Sequence, residues 1–104
     1  MTYAFTYDVP IDEDFYRKIQ VGLGPELPKG LITHIAMKLP QGGLRYIDVW
    51  ETQEDSERFG EERLHPVVHP LLEKILGEAP PEPEHVPLNV IHVWGSGGTF
   101  SNPG

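Results

Sequence analysis

The chain has 104 residues, 16 acidic against 8 basic side chains, a net charge of -8 with neutral histidines, and no cysteine. That length accommodates one domain with one core, and the acidic balance argues against nucleic acid or anionic membrane as a partner. The missing cysteines exclude disulfides, thiolate metal sites and cysteine nucleophiles.

Residues 3–9, YAFTYDV, alternate Tyr3, Phe5, Tyr7 and Val9 with Ala4, Thr6 and Asp8, which predicts a first strand with one buried face. Pro10 ends it. Asp12 is placed as an N-cap, with Ile11 and Tyr16 spaced as a hydrophobic staple and Phe15, Ile19 and Leu23 at helical spacing, so a short helix is expected to about Gly22. The glycines and prolines of GLGPELPKG make a connector. Two β-rich runs, Leu31–Leu39 and Leu44–Glu51, flank Pro40-Gln41-Gly42-Gly43 and predict a tight hairpin. Thr52 with Asp55 reads as a capping signature for a second, longer helix, whose stripe of Phe59, Leu64, Val67, Val68, Leu71, Leu72 and Ile75 ends at Gly77. The acidic, proline-rich EAPPEPEHVP is expected as a stiff linker, and Leu88–Trp94 as the last strand. The tail GSGGTFSNPG, residues 95–104, shows no period and is expected to be flexible or to join an interface.

The order β-α-β-β-α-β predicts an α+β, ferredoxin-like domain over residues 1–94, a four-stranded antiparallel sheet with two helices on one face. The other face is left uncovered, and pairing two such sheets back to back predicts a homodimer. The N-terminal MTYAFTYDVP has neither a basic nor an apolar leader segment, and no apolar run is long enough to cross a membrane, so a soluble, cytoplasmic protein is expected.

Titratable residues on the strands are the candidates for chemistry. His34 sits between Ile32 and Ala36 on its strand, an apolar neighbourhood suited either to a general base near neutral pH or to a packed histidine satisfied by a nearby acceptor. Tyr46, Asp48 and Trp50 share one face of the third strand while Ile47 and Val49 share the other. Asp48 is then a catalytic or an interface carboxylate, and Trp50 a pocket wall or a core filler. Phe5 and Tyr7 on the first strand and His92 on the last are further rings that the fold can bring together; Tyr7 and Tyr46 supply hydroxyls for proton transfer. No phosphate-cradling or nucleophile-elbow wording occurs.

The run LHPVVHP sets His65 and His69 four apart, the spacing of two metal ligands on one helical face, yet Pro66 and Pro70 each remove an amide that such a helix needs. A break near Leu64, with His69 as a cap and Pro70 at the first position of a new helix, reconciles the prolines. On that reading no metal is expected, His69 lies at a pocket rim and His65 faces solvent.

The run Tyr46-Ile47-Asp48-Val49-Trp50-Glu51-Thr52-Gln53-Glu54-Asp55-Ser56-Glu57-Arg58-Phe59 resembles the strand-to-helix signature of the dimeric α/β-barrel superfamily, in its antibiotic biosynthesis monooxygenase-like branch. Gly30-Leu31-Ile32-Thr33-His34-Ile35 is similar to small members of that branch. The resemblance implies a small aromatic or polyketide-type ligand held between helices and sheet, with Trp50 lining the pocket. It also implies chemistry without flavin, haem or metal, in which an ionised phenolic substrate reduces dioxygen directly. A polyketide cyclase of the same scaffold carries a His-Pro-x-His word on its helix, which His65-Pro66-Val67-Val68-His69 resembles with one residue added. Three functions are therefore expected as alternatives: a cofactor-independent monooxygenase, a cyclase or isomerase using a His/Tyr pair, and a non-catalytic ligand-binding dimer. His34, Tyr46 and His69 are the expected catalytic residues, with Trp50, Tyr7, Phe5, Asp48 and His92 against the substrate.

Overall fold

The computed structural model describes residues 2–77, 83–95 and 98–101. Strand β1 (Tyr3–Val9) leads into helix α1 (Glu13–Leu23), which starts where the Asp12 carboxylate accepts from the Phe15 amide at 2.8 Å. That bond satisfies one of the amides a helix start leaves free, and the negative side chains of Glu13 and Asp14 suit the same end. Phe15 and Ile19, one turn apart, are the buried residues of α1. Gly22 lets α1 come close to the later helix, since a β-carbon there would lie 2.6 Å from Val67 Cγ1.

Strands β2 (Leu31–Lys38) and β3 (Leu44–Trp50) form the expected hairpin, with Gly42 and Gly43 at φ 101° and 81° in its turn. Leu39 donates to the Gly43 carbonyl at 3.1 Å and closes it. Thr52 caps helix α2 (Gln53–Phe59), its hydroxyl accepting from the Asp55 amide at 3.1 Å.

The helical path then continues through a π turn, Gly60–Leu64, into α3 (His65–Leu76), which stops at left-handed Gly77. This corrects the expected break near Leu64. The irregularity lies earlier and is a widening, with the His65 amide reaching back to the Gly60 carbonyl. In an ordinary helix Pro66 would press its ring on the carbonyl of Glu62, and a wider turn just before it relieves that clash. Pro70 stands inside α3, not at the start of a new helix, and His69 caps nothing.

The main sheet has the order β2-β3-β1-β4 with every neighbouring pair antiparallel, where β4 is Val86–Leu88. An α+β chain with this four-stranded sheet and its helices matches the ferredoxin-like arrangement. The last strand of this sheet is not the Leu88–Trp94 run expected from the sequence: it is Val86–Leu88, beginning within the stretch expected as a linker, and Pro87, which offers no amide to a ladder, suits it to the sheet edge. Beyond it, β5 (His92–Gly95) pairs with β6 (Gly98–Ser101) in a separate two-stranded ribbon. No helix among the described residues is long and apolar enough to cross a membrane.

Register divides the main sheet into two unlike faces. Tyr3, Phe5, Tyr7, Tyr46, Asp48, Trp50 and His34 fall on one; Thr6, Ile35, Met37, Ile47, Val86 and Leu88 fall on the other. Both helical arms lie on the first face, α1 through Tyr16 against His34 and Tyr46, α2 through Phe59 against Trp50.

Candidate active site

Counting outward from the closed turn at Leu39 and Gly43 sets His34 directly opposite Asp48 on the helix-covered face. The His34 Nδ1 and the Asp48 carboxylate are hydrogen-bonded. An ionised carboxylate can only accept, so Nδ1 carries the proton and, in the neutral ring, Nε2 is left as an acceptor. The acceptor is used: the Tyr16 hydroxyl, projecting from the second turn of α1, lies 2.8 Å from Nε2. The result is a chain of three side chains, Asp48, His34 and Tyr16, drawn from three elements. The Asp48 side chain keeps 12% of its surface accessible, the His34 side chain 29%. The carboxylate is the buried anchor and the imidazole is the end that another molecule can reach.

Tyrosines surround this chain. The Tyr46 ring meets His34 edge-on at 5.3 Å and Tyr16 at 5.6 Å, and Tyr7 meets Tyr46 edge-on at 5.1 Å. Burial, aided by the Asp48 carboxylate and opposed by Arg17, holds the Tyr16 phenol above its ordinary ionisation range. Burial pushes Tyr46 further up, with Tyr16 and Asp48 adding to the effect. Both hydroxyls stay protonated near neutrality and can donate.

Phe5 and Tyr7 continue the aromatic floor away from His34. Across their rings lies the imidazole of His85, 4.4 Å from Phe5 at 7° and 4.3 Å from Tyr7 at 20°. Trp50 is 2% exposed and packs on Phe59 at 5.5 Å, its Nε1 without a partner among the described residues.

The structure thus brings together His34, Tyr46, Asp48, Tyr7 and Phe5 of the residues expected from the sequence, with Trp50 one alternation along the same strand. His69 stands on α3, its ring stacked on His65 at 4.8 Å, and His92 is exposed on the ribbon. No group of three or more metal-ligating side chains occurs among the described residues. Tyr16 and His85 are functional candidates that sequence reading missed. The staple reading of Tyr16 leaves out that it stands three residues before Ile19, on the same side of α1. His85 sits in a proline-rich segment, where no periodicity points to a contact.

An open groove of about 360 Å³ runs between the start of α1 and the β2–β3 turn, lined by Ile11, Asp12, Lys38 and Gly43 among others. It lies at the end of the sheet, away from the His34 cluster.

No family model matches the chain, and neither the curated proteins nor the solved structures contain a significant match.

Proposed function

We propose that the protein is a cofactor-independent acid–base enzyme that takes a proton from a small aromatic or polyketide-type substrate at His34. The observation that carries this reading is the Asp48–His34–Tyr16 chain. A substrate hydroxyl or activated C–H displaces the Tyr16 hydroxyl from Nε2 and passes its proton there, while Asp48 stabilises the imidazolium through Nδ1. The freed Tyr16 hydroxyl donates to the phenolate or enolate oxygen so formed, and Tyr46 is placed to assist. The same first step serves two outcomes on the barrel scaffold that the Tyr46–Phe59 run resembles: a phenolate that reduces dioxygen, as in the monooxygenase-like branch, or an enolate that cyclises or isomerises. The His/Tyr pairing favours the second. Removing Asp48 is expected to act through His34, as a positioning residue.

The experiment is a panel of phenols and β-polyketone analogues assayed with and without oxygen. Oxygen uptake identifies the monooxygenase, and oxygen-independent turnover the cyclase or isomerase. Either activity should fall about 10²- to 10⁴-fold in His34→Ala. Activity that survives this substitution sinks the proposal, and specific binding with no turnover under either condition leaves a ligand-binding protein.

We further propose that a second copy covers the open sheet face. Ile35, Met37, Val86 and Leu88 are 38–51% exposed there, and Trp94 on the ribbon is 85% exposed. Such apolar area is what a partner surface offers. Light scattering at micromolar concentration checks it, with a monomer as the contrary result.

A further inference from the structure

We infer that the slot over Phe5 and Tyr7, filled by the His85 imidazole, is the position where the planar ring of the substrate binds, and that His85 is a displaceable plug. The inference rests on the acid–base reading for what happens next to the bound ring. Its own support is the geometry of the stack.

Phe5 and Tyr7 are neighbours on one face of β1, their ring centres 5.7 Å apart and inclined by only 27°. Together they make a near-flat platform longer than one ring. His85 lies flat across both, and Phe5 is only 5% exposed beneath it. The imidazole itself is on the exposed side of the stack, since His85 is an exposed residue. A five-membered ring bridging two aromatic rings stands in for a larger one: a bicyclic or extended phenol would cover the same platform with more overlap. The platform also leads to the reactive end. Phe5 pairs with Asp48 in register and Tyr7 with Tyr46, so a ring stacked in the slot extends along the sheet toward the His34–Tyr16 pair.

His85 adjoins the edge strand β4, whose pairing with β1 spans Val86 to Leu88. Its departure breaks none of those pairings. The slot therefore opens by moving one residue and its neighbours, not by unfolding the sheet.

The test is an NMR titration of the full chain with 2-naphthol, a planar bicyclic phenol. His85→Ala empties the slot and is expected to bind 2-naphthol about tenfold more tightly than the unsubstituted protein. His85→Phe keeps a flat ring on the platform and should retain the weak binding. Adding Tyr7→Leu to His85→Ala should remove the gain. In the unsubstituted protein the His85 ring-proton resonance, shifted upfield by the two rings below it, should move downfield as 2-naphthol saturates. Equal or weaker binding by His85→Ala, equal affinities for His85→Ala and His85→Phe, or an unmoved His85 resonance at saturation overturns the plug. Tightened binding without turnover of any substrate would retire the acid–base reading and keep the slot. His34-dependent turnover without tightening would do the reverse.

Discussion

The two faces of the main sheet are built from the same strands and differ in what they conceal. The helix-covered face buries Phe5, Tyr46, Asp48 and Trp50, mixing a carboxylate with aromatic rings, while the other presents Ile35, Met37, Val86 and Leu88 to solvent. An antiparallel sheet with one solvated face ordinarily shows polar side chains outward and aliphatic ones inward. Here the Asp48 carboxylate is under cover, and on the other face four aliphatic side chains are exposed although Ala4 and Val49 on that face are buried. Burying a charge is costly unless it is paired and hydrogen-bonded, so a carboxylate in the core is retained for something that packing alone does not need. The proposed chemistry uses the covered face, and the proposed second copy would use the uncovered one.

The sharpest way to break that contrast is a matched pair of substitutions. Trp50→Ala removes the most deeply buried large side chain of the covered face and its contact with Phe59, and should cost about 3–5 kcal/mol in chemical denaturation. Ile35→Lys, on the open face, should leave the fold of the single chain intact, with a stability change within about 0.5 kcal/mol for an isolated protomer. Its effect should appear in light scattering as loss of the proposed dimer. If Ile35→Lys unfolds the chain as Trp50→Ala does, the second face is core and the division between faces is wrong.

A smaller effect is expected inside the covered face. Asp48→Ala leaves His34 Nδ1 without the acceptor it faces, and should destabilise the protein by about 1–3 kcal/mol. The imidazole is then held only at Nε2 by Tyr16, and nothing fixes which ring nitrogen carries the proton. Activity should then fall mainly in kcat, with KM less affected. A double-mutant cycle of Asp48→Ala with Tyr16→Phe measures whether the three groups act as a unit; additive losses would show that they do not.

Much of this was legible in the sequence, for identifiable reasons. The caps at Asp12 and Thr52 and the Gly42-Gly43 turn are local devices whose chemistry sits within three residues, so they could be read directly. Alternation put Tyr46, Asp48 and Trp50 on one face, and the hairpin's own register then makes Asp48 the partner of His34. What resisted reading depends on long-range placement or on a compromise between rules. Tyr16 reaches His34 from a separate element, 18 residues away in sequence. His85 reaches Phe5 and Tyr7 from a segment whose prolines leave no period. In LHPVVHP, two prolines argue for ending a helix and the flanking apolar stripe argues for continuing it. The stripe prevails, because a π turn at Gly60–Leu64 relieves the clash at less cost than exposing Val67 and Val68 would. The metal-pair spacing of His65 and His69 survives as a ring stack.

The mildest test of the contrast is made with pH, and it acts on the covered face alone. The Tyr46 and Tyr16 phenols ionise in the unfolded chain near the ordinary value of 10.0, and burial raises both in the folded protein. Below pH 10 each is protonated in either state, so their contribution to stability is fully present there. Between that pH and the higher folded value, the unfolded chain has released protons that the folded one retains, and stability falls as pH rises. Denaturation midpoints should therefore decline from about pH 10 upward, without a matching loss between pH 7 and 9. Tyr46→Phe should flatten the decline, since it removes the more strongly shifted and more deeply buried phenol, and Tyr16→Phe should flatten it less. The open face supplies no tyrosine to this profile: Tyr3, Tyr7, Tyr16 and Tyr46 are the chain's four, and all lie on the covered side or on the helix packed against it. An alkaline decline that persists unchanged in Tyr46→Phe would mean that this phenol ionises in contact with water and that burial does not raise it.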